Sequence, residues 1–218
     1  MVQWGALAVL LPVIGLQAQE PPFENEIKAF EAADKVNPPK EGGIVFVGSS
    51  SIRMWTSLKE DFPQYNTINR GFGGSQISDS VRNVDRIVTP YKPKAIVFFA
   101  GTNDIAADKS PETVAMDYKT FVERVRAKLP HVPIAFIALT PAPSRWSKIK
   151  EIRRTNELIR AYSASTPGLR FIDTYPALVN NIGGPRPELF LADNLHMNSK
   201  GYAIWKEIVG PVLKEMVP

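Results

Sequence analysis

The chain has 218 residues, 44% hydrophobic and 22% charged, enough to bury a single core without a disulfide or metal staple. Cysteine is absent and the only histidines are His131 and His196, which excludes disulfide frameworks, thiolate metal sites, cysteine nucleophiles and multi-histidine metal centres. Lysine and arginine outnumber aspartate and glutamate by 26 to 22, a net charge of +4, and no long basic run is present, so nucleic acid is not an expected partner.

In chain order, residues 1–18 carry no charged side chain, and 4–16 form an apolar stretch shorter than the roughly 20 residues a membrane span needs. Ala18 then precedes a polar run (Gln19, Glu20, Pro21, Pro22). The pattern is that of a secretory signal cleaved near Ala18, although its start lacks the usual basic residues. It predicts an exported mature chain, residues 19–218, with no stable membrane span. Five apolar or β-prone runs follow, at 43–47, 66–69, 95–100, 133–139 and 169–172. Unbroken apolar runs rather than alternation suit parallel strands covered on both faces.

Helical patterns lie between the strands. Ser110, Pro111 and Glu112 supply a cap, a first-turn proline and an early acid, and Val114, Tyr118, Phe121, Val122, Val125 and Leu129 then share one face. Ile149, Ile152, Leu158, Ile159 and Tyr162 predict a helix over 147–162. Ile204, Trp205, Ile208, Val212 and Leu213 predict a last helix, begun by Asn198 or Ser199, which Pro211 should kink or end. Repeated β-α units in one domain predict an α/β fold, a three-layer α/β/α sandwich around a five-stranded parallel sheet.

Sites in such sheets form beyond the carboxyl ends of the strands. The first three strands run into Gly48-Ser49-Ser50-Ser51, Gly71-Phe72-Gly73-Gly74-Ser75 and Gly101-Thr102-Asn103-Asp104, and Asp193-Asn194-Leu195-His196 precedes the last helix. Singly, these are helix caps, tight turns or Asx turns. Together they hold a hydroxyl, glycine-rich backbone, an amide, a carboxylate and an imidazole, the groups that acyl transfer needs for nucleophile, oxyanion donors and an oriented base. The glycine turn has neither the G-x-x-x-x-G-K-[ST] nor the G-x-G-x-x-G spacing of a phosphate-binding loop. His131, between Pro130 and Val132, reads as a surface loop residue at the opposite sheet edge.

The four clusters resemble, in order over residues 44–212, the sequence blocks of the SGNH hydrolases, or GDSL esterases/lipases. The resemblance implies the flavodoxin-like fold of that family, with Ser50 as nucleophile, His196 as general base and Asp193 as its orienting acid. It also implies an oxyanion hole of the Ser50 and Gly74 backbone N–H groups and the Asn103 side chain, with no metal or cofactor. Ser49 stands where the family usually has aspartate, so the choice among Ser49, Ser50 and Ser51 rests on alignment, and the Ser49 hydroxyl is expected to replace part of the lost hydrogen bonding. The closest branch by resemblance is the compact one that includes the platelet-activating-factor acetylhydrolases. It implies a serine esterase acting on short, acetyl-sized esters of small molecules or carbohydrates. Other readings are an exported lysophospholipase or thioesterase of the same fold and an inactive carbohydrate-binding relative. Arg145 and Trp146, after the fourth strand, are candidate substrate-groove residues or parts of a rigid turn; Arg53 and Trp55 are either groove-lining or helix packing.

Overall fold

The computed structural model describes Met1 and residues 20–217, so nearly all of the expected signal segment lies outside the described residues. Five strands, β1 (Ile44–Gly48), β2 (Thr67–Gly71), β3 (Ala95–Phe99), β4 (Ile134–Ile137) and β5 (Leu169–Ile172), form one sheet in the order β2-β1-β3-β4-β5. Every pairing is parallel, as the apolar runs predicted. The order reverses direction at β1, between β2 and β3. That switch opens a crevice above the carboxyl ends of β1 and β3.

Adjacent side chains of a strand point to opposite faces, and β3 shows how this makes three layers. Phe98 packs on Tyr118 and Phe121 of α6 (Pro111–Arg126), whereas Phe99 meets Trp205 of α8 (Ser199–Met216) at 4.9 Å between ring centroids. On the Phe98 face, α6 lies between α4 (Ile77–Ile87) and α7 (Ile149–Ser165). On the other face α8 packs beside α2 (Ser50–Arg53) and α3 (Leu58–Asp61), through Trp55, which touches Phe46, Phe62, Tyr202 and Trp205. Each such aromatic pair adds about 0.5–1.5 kcal/mol beyond area burial. Trp55 is therefore packing.

The helix boundaries follow local chemistry. Ser110 accepts a hydrogen bond from the Thr113 N–H and so caps α6, and Asn198 caps α8 by accepting from the N–H groups of Lys200 and Gly201. Of the two outcomes expected at Pro211, a kink or an end, the structure excludes the end: α8 runs on to Met216. Pro211 is exposed, while Val209 and Leu213 are fully buried; core packing carries the chain past one missing donor. Two further helices are α1 (Glu24–Val36) and α5 (Thr102–Ala106). Ile27 is the one buried residue of α1; the half-buried Phe30 packs against the core and under Arg70, and ion pairs join Arg86 with Glu24 and Glu31, and Arg70 with Asp34. His131 is exposed in the loop before β4.

Candidate active site

The crevice receives its first residues from β1. Gly48, paired with Phe99, has φ 148°, a conformation that disfavours any side chain. A Cβ there would lie 1.9 Å from the Phe99 carbonyl oxygen. The chain then turns into α2 with Ser50 as its first residue. The Ser49 side chain makes no capping bond, contrary to the expectation that its hydroxyl would replace the missing aspartate. Backbone and distant groups hold the turn instead. The Ser49 N–H donates to Phe99 O at 2.9 Å, Asn69 Nδ2 donates to Ile52 O at 2.6 Å, and the Tyr202 hydroxyl donates to Ser51 O at 2.9 Å. Burial pushes the Tyr202 phenol up, which keeps it a donor. Asn69 also accepts from the Gly71 N–H at 2.9 Å. Asn69 and Tyr202 are positioning residues to which the sequence reading assigned no role, although Asn69 opens the second of the four blocks; the visible signal was an amide inside a strand, where Asn is disfavoured.

The glycine turn after β2 and the start of α5 are tied to each other. Asn103 Nδ2 donates one proton to Ser75 O at 3.0 Å, and an amide has a second proton to offer. Asp104, fully buried, accepts from the Ile77 N–H at the start of α4 and from Lys109 Nζ at 2.9 Å. Burial pushes its carboxyl up while Lys109 pulls it back. Gly74 has φ 78° and is exposed, with nothing within 4 Å of the position a Cβ would take. Among the described residues, neither the Ser50 nor the Gly74 backbone N–H donates to a protein acceptor. Among the described residues, two backbone donors and one amide proton are thus left without a protein acceptor.

Asp193 and His196 arrive on the loop before α8. Asn194 takes a positive φ of 55°, a left-handed conformation that Asn tolerates. The turn is closed by Leu191 N–H to His196 O at 2.7 Å. Asp193 Oδ1 accepts from the Leu195 and His196 N–H groups at 2.9 and 3.0 Å. Its Oδ2 lies 2.6 Å from His196 Nδ1, and His196 Nε2 lies 2.9 Å from Ser50 Oγ. The hydrogen bond from His196 and the two backbone donors hold the Asp193 carboxyl down at about 2. It is then ionised and only accepts, so Nδ1 carries the ring proton and Nε2 is free to accept from Ser50. The Asp193 side chain is 47% accessible and that of His196 20%; the site is open on this side.

Of the sequence-predicted residues, the structure brings Ser50, His196 and Asp193 into one hydrogen-bonded chain, with Asn103 bound to the residue after Gly74. Arg145 and Trp146 are half-buried in the 3-10 segment Pro143–Lys148 that leads into α7. The Ser144 N–H of that segment donates to Asn194 O at 2.9 Å, which sets it against the His196 loop.

The family model of the GDSL-like lipase/acylhydrolase family matches residues 46–204. The chain is 27% identical over 168 residues to platelet-activating factor acetylhydrolase IB subunit alpha1 of Bos taurus, covering 75% of this chain and 71% of that protein. A GDSL-like lipase structure from Bacteroides thetaiotaomicron VPI-5482 superposes with a TM-score of 0.76 at 20% identity, covering 88% of this chain and 98% of that one. A carbohydrate esterase family 3 structure from Talaromyces cellulolyticus gives 0.66 at 21% identity, covering 80% and 97%.

Proposed function

As a member of the GDSL-like lipase/acylhydrolase family, to which it belongs, the chain is a carboxylic ester hydrolase, and we propose that it cleaves short-chain, chiefly acetyl, esters through Ser50, His196 and Asp193. The observation that carries this reading is the continuous chain Ser50 Oγ, His196 Nε2, His196 Nδ1, Asp193 Oδ2, with separations of 2.9 and 2.6 Å. A serine hydroxyl becomes a useful nucleophile when an oriented base takes its proton. Ser50 Oγ attacks the ester carbonyl carbon while its proton passes to His196 Nε2. Asp193 stabilises the imidazolium without accepting its proton. The Ser50 and Gly74 N–H groups and the second Asn103 amide proton receive the oxyanion. Collapse of the intermediate expels the alcohol, protonated by His196. Water then gives a proton to His196 and attacks the acyl group, releasing the acid and restoring Ser50.

The openness of the His196 side supports a small acyl group, and so does a relative named an acetylhydrolase. Arg145 and Trp146 are proposed to line the side of the groove next to the His196 loop. The reading includes a single enzyme domain over 19–218, exported after cleavage near Ala18, on the strength of the apolar 4–16 stretch and the small residue that follows it. Among the described residues no helix is long and apolar enough to cross a membrane.

Hydrolysis of p-nitrophenyl acetate, butyrate and octanoate by the protein and by Ser50→Ala tests the reading. Rates that fall with chain length and drop to background in the variant are expected. A folded protein no faster than Ser50→Ala on any of the three would instead favour an inactive, ligand-binding relative.

A further inference from the structure

Arg53 and Trp55 lie two residues apart and have opposite environments. Trp55 is 1% exposed, whereas Arg53 is exposed. The Arg53 guanidinium is nevertheless seated. A Cβ on Gly73 would stand 2.6 Å from its Cζ and Nη1 and 2.7 Å from its Nη2, so it lies directly on the bare backbone of the residue before Gly74. Its own backbone is seated by a second glycine: a Cβ on Gly71 would stand 2.1 Å from Arg53 N. Because Ser50 and Arg53 are three residues apart in α2, they sit on one side of the same turn.

Among the described residues this guanidinium has no hydrogen-bond or ion-pair partner. Elsewhere the arginines donate side-chain hydrogen bonds to carboxylates, a phenol or carbonyls. Among the described residues only Arg53 and Arg145 donate none. A surface of this composition supplies carboxylates freely to its other arginines, so a seated, unpaired cation beside three unspent oxyanion donors is a distinct feature of the site. Arg53 also lines a cavity of about 430 Å³ beside β2, whose walls are Phe30, Trp55 and Leu58 together with Thr56, Asn69 and Lys59. One exposed hydroxyl, Thr56, a second cation, Lys59, and the half-buried Phe30 ring therefore continue away from Arg53.

We propose that Arg53 is a specificity-determining residue that receives a carboxylate on the alcohol portion of the substrate, and that the substrate is an ester of an acidic sugar whose saccharide extends along the β2 cavity. The inference rests on the serine-esterase reading above and names its substrate class. A planar guanidinium binds a carboxylate through two parallel charge-assisted hydrogen bonds. The Thr56 hydroxyl and the Phe30 ring offer a polar partner and an apolar face to a sugar, and Lys59 suits a repeat of the same charge.

The test compares kcat/KM for three acetate esters: an O-acetylated glucuronic acid methyl glycoside, the matching neutral glucose derivative, and acetylated glycerol phosphate. The wild-type protein is expected to favour the uronate over the neutral sugar. Arg53→Met should lower that ratio by about 10- to 100-fold, the worth of a charge-assisted pair, and Arg53→Lys should restore part of it, since lysine keeps the charge and loses the fork. Arg154→Met, removing an exposed charge of α7 that pairs with Glu112 and Glu157, should leave the ratio unchanged. A ratio insensitive to Arg53→Met, or equally sensitive to Arg154→Met, would overturn the proposal, and so would an Arg53-dependent preference for the phosphate over the uronate. If the neutral ester is hydrolysed in a Ser50-dependent manner while the ratio stays flat, only this inference fails. If no ester is hydrolysed above Ser50→Ala, the esterase reading fails with it.

Discussion

Ser50 and Asn103 leave the ends of neighbouring parallel strands, whereas Asp193 and His196 hang on the irregular stretch between β5 and α8. The first region is held by sheet register, by a glycine pressed on the Phe99 carbonyl and by an aromatic cluster beneath it. The second is held by turn hydrogen bonds, by an isolated bridge between Phe190 and Met197, and by Asn198, which donates to Glu188 O and Phe190 O while capping α8. Trp55, Trp205 and Tyr202 couple the two, because they pack α8 under the turn that carries Ser50. The difference implies that damage to the backbone supports of the strand-end half costs more stability than damage to the supports of the loop half.

The sharpest attempt to break that contrast is Gly48→Ala. It combines a disfavoured φ with a collision against backbone, and is expected to cost more than about 3 kcal/mol, read as a lower urea midpoint. A variant with the native midpoint would remove the structural reason for this glycine. Next is Asn103→Ala, expected to reduce kcat by about 10²- to 10³-fold, the usual worth of one oxyanion donor. Asn103→Asp should be no better, since it too lacks the amide protons. Near-native kcat in either would sink the oxyanion assignment.

Smaller effects sharpen the picture of the loop. Asn198→Ala should cost about 1–2 kcal/mol of stability as a lost cap, and should lower kcat more than it changes KM, because His196 loses its support while the substrate groove remains. A change confined to KM would contradict this. The smallest effect is the pH dependence of Asp193. Its folded pKa of about 2 lies below the ordinary 3.8, so the unfolded chain binds its proton more tightly. The stabilisation is complete above about pH 4 and is lost as pH falls toward 2. The gap in urea midpoint between the protein and Asp193→Asn should therefore shrink over that range. A gap constant down to pH 2.5 would mean the carboxylate is not held by its hydrogen bonds.

Much of this was legible in the chain because the relevant signals are local. Apolar or β-prone runs marked the five strands, Ser110 announced its helix and Asn198 or Ser199 the last one, and the four polar clusters fell at strand ends or just before α8. The helix α1 escaped because its apolar stripe is short: Ile27 is buried and Phe30 half-buried, and the partners that dock it, Arg70 and Arg86, lie far along the sequence. The supports of Ser50 escaped for a related reason. Tyr202 reaches Ser51 O across 151 residues and Asn69 reaches Ile52 O across 17, and no motif spacing encodes such contacts. Arg53 and Trp55 could not be told apart by type or position, since burial alone separates them.

The central claim is that Ser50, among three consecutive serines, is the nucleophile. A fluorophosphonate probe, which labels only an activated hydroxyl, tests it directly when the labelled protein is digested and the modified residue is located by tandem mass spectrometry. A single adduct on Ser50, lost in Ser50→Ala and strongly slowed in His196→Ala, is the predicted result. An adduct on Ser49 or Ser51, or labelling that survives Ser50→Ala, would contradict it.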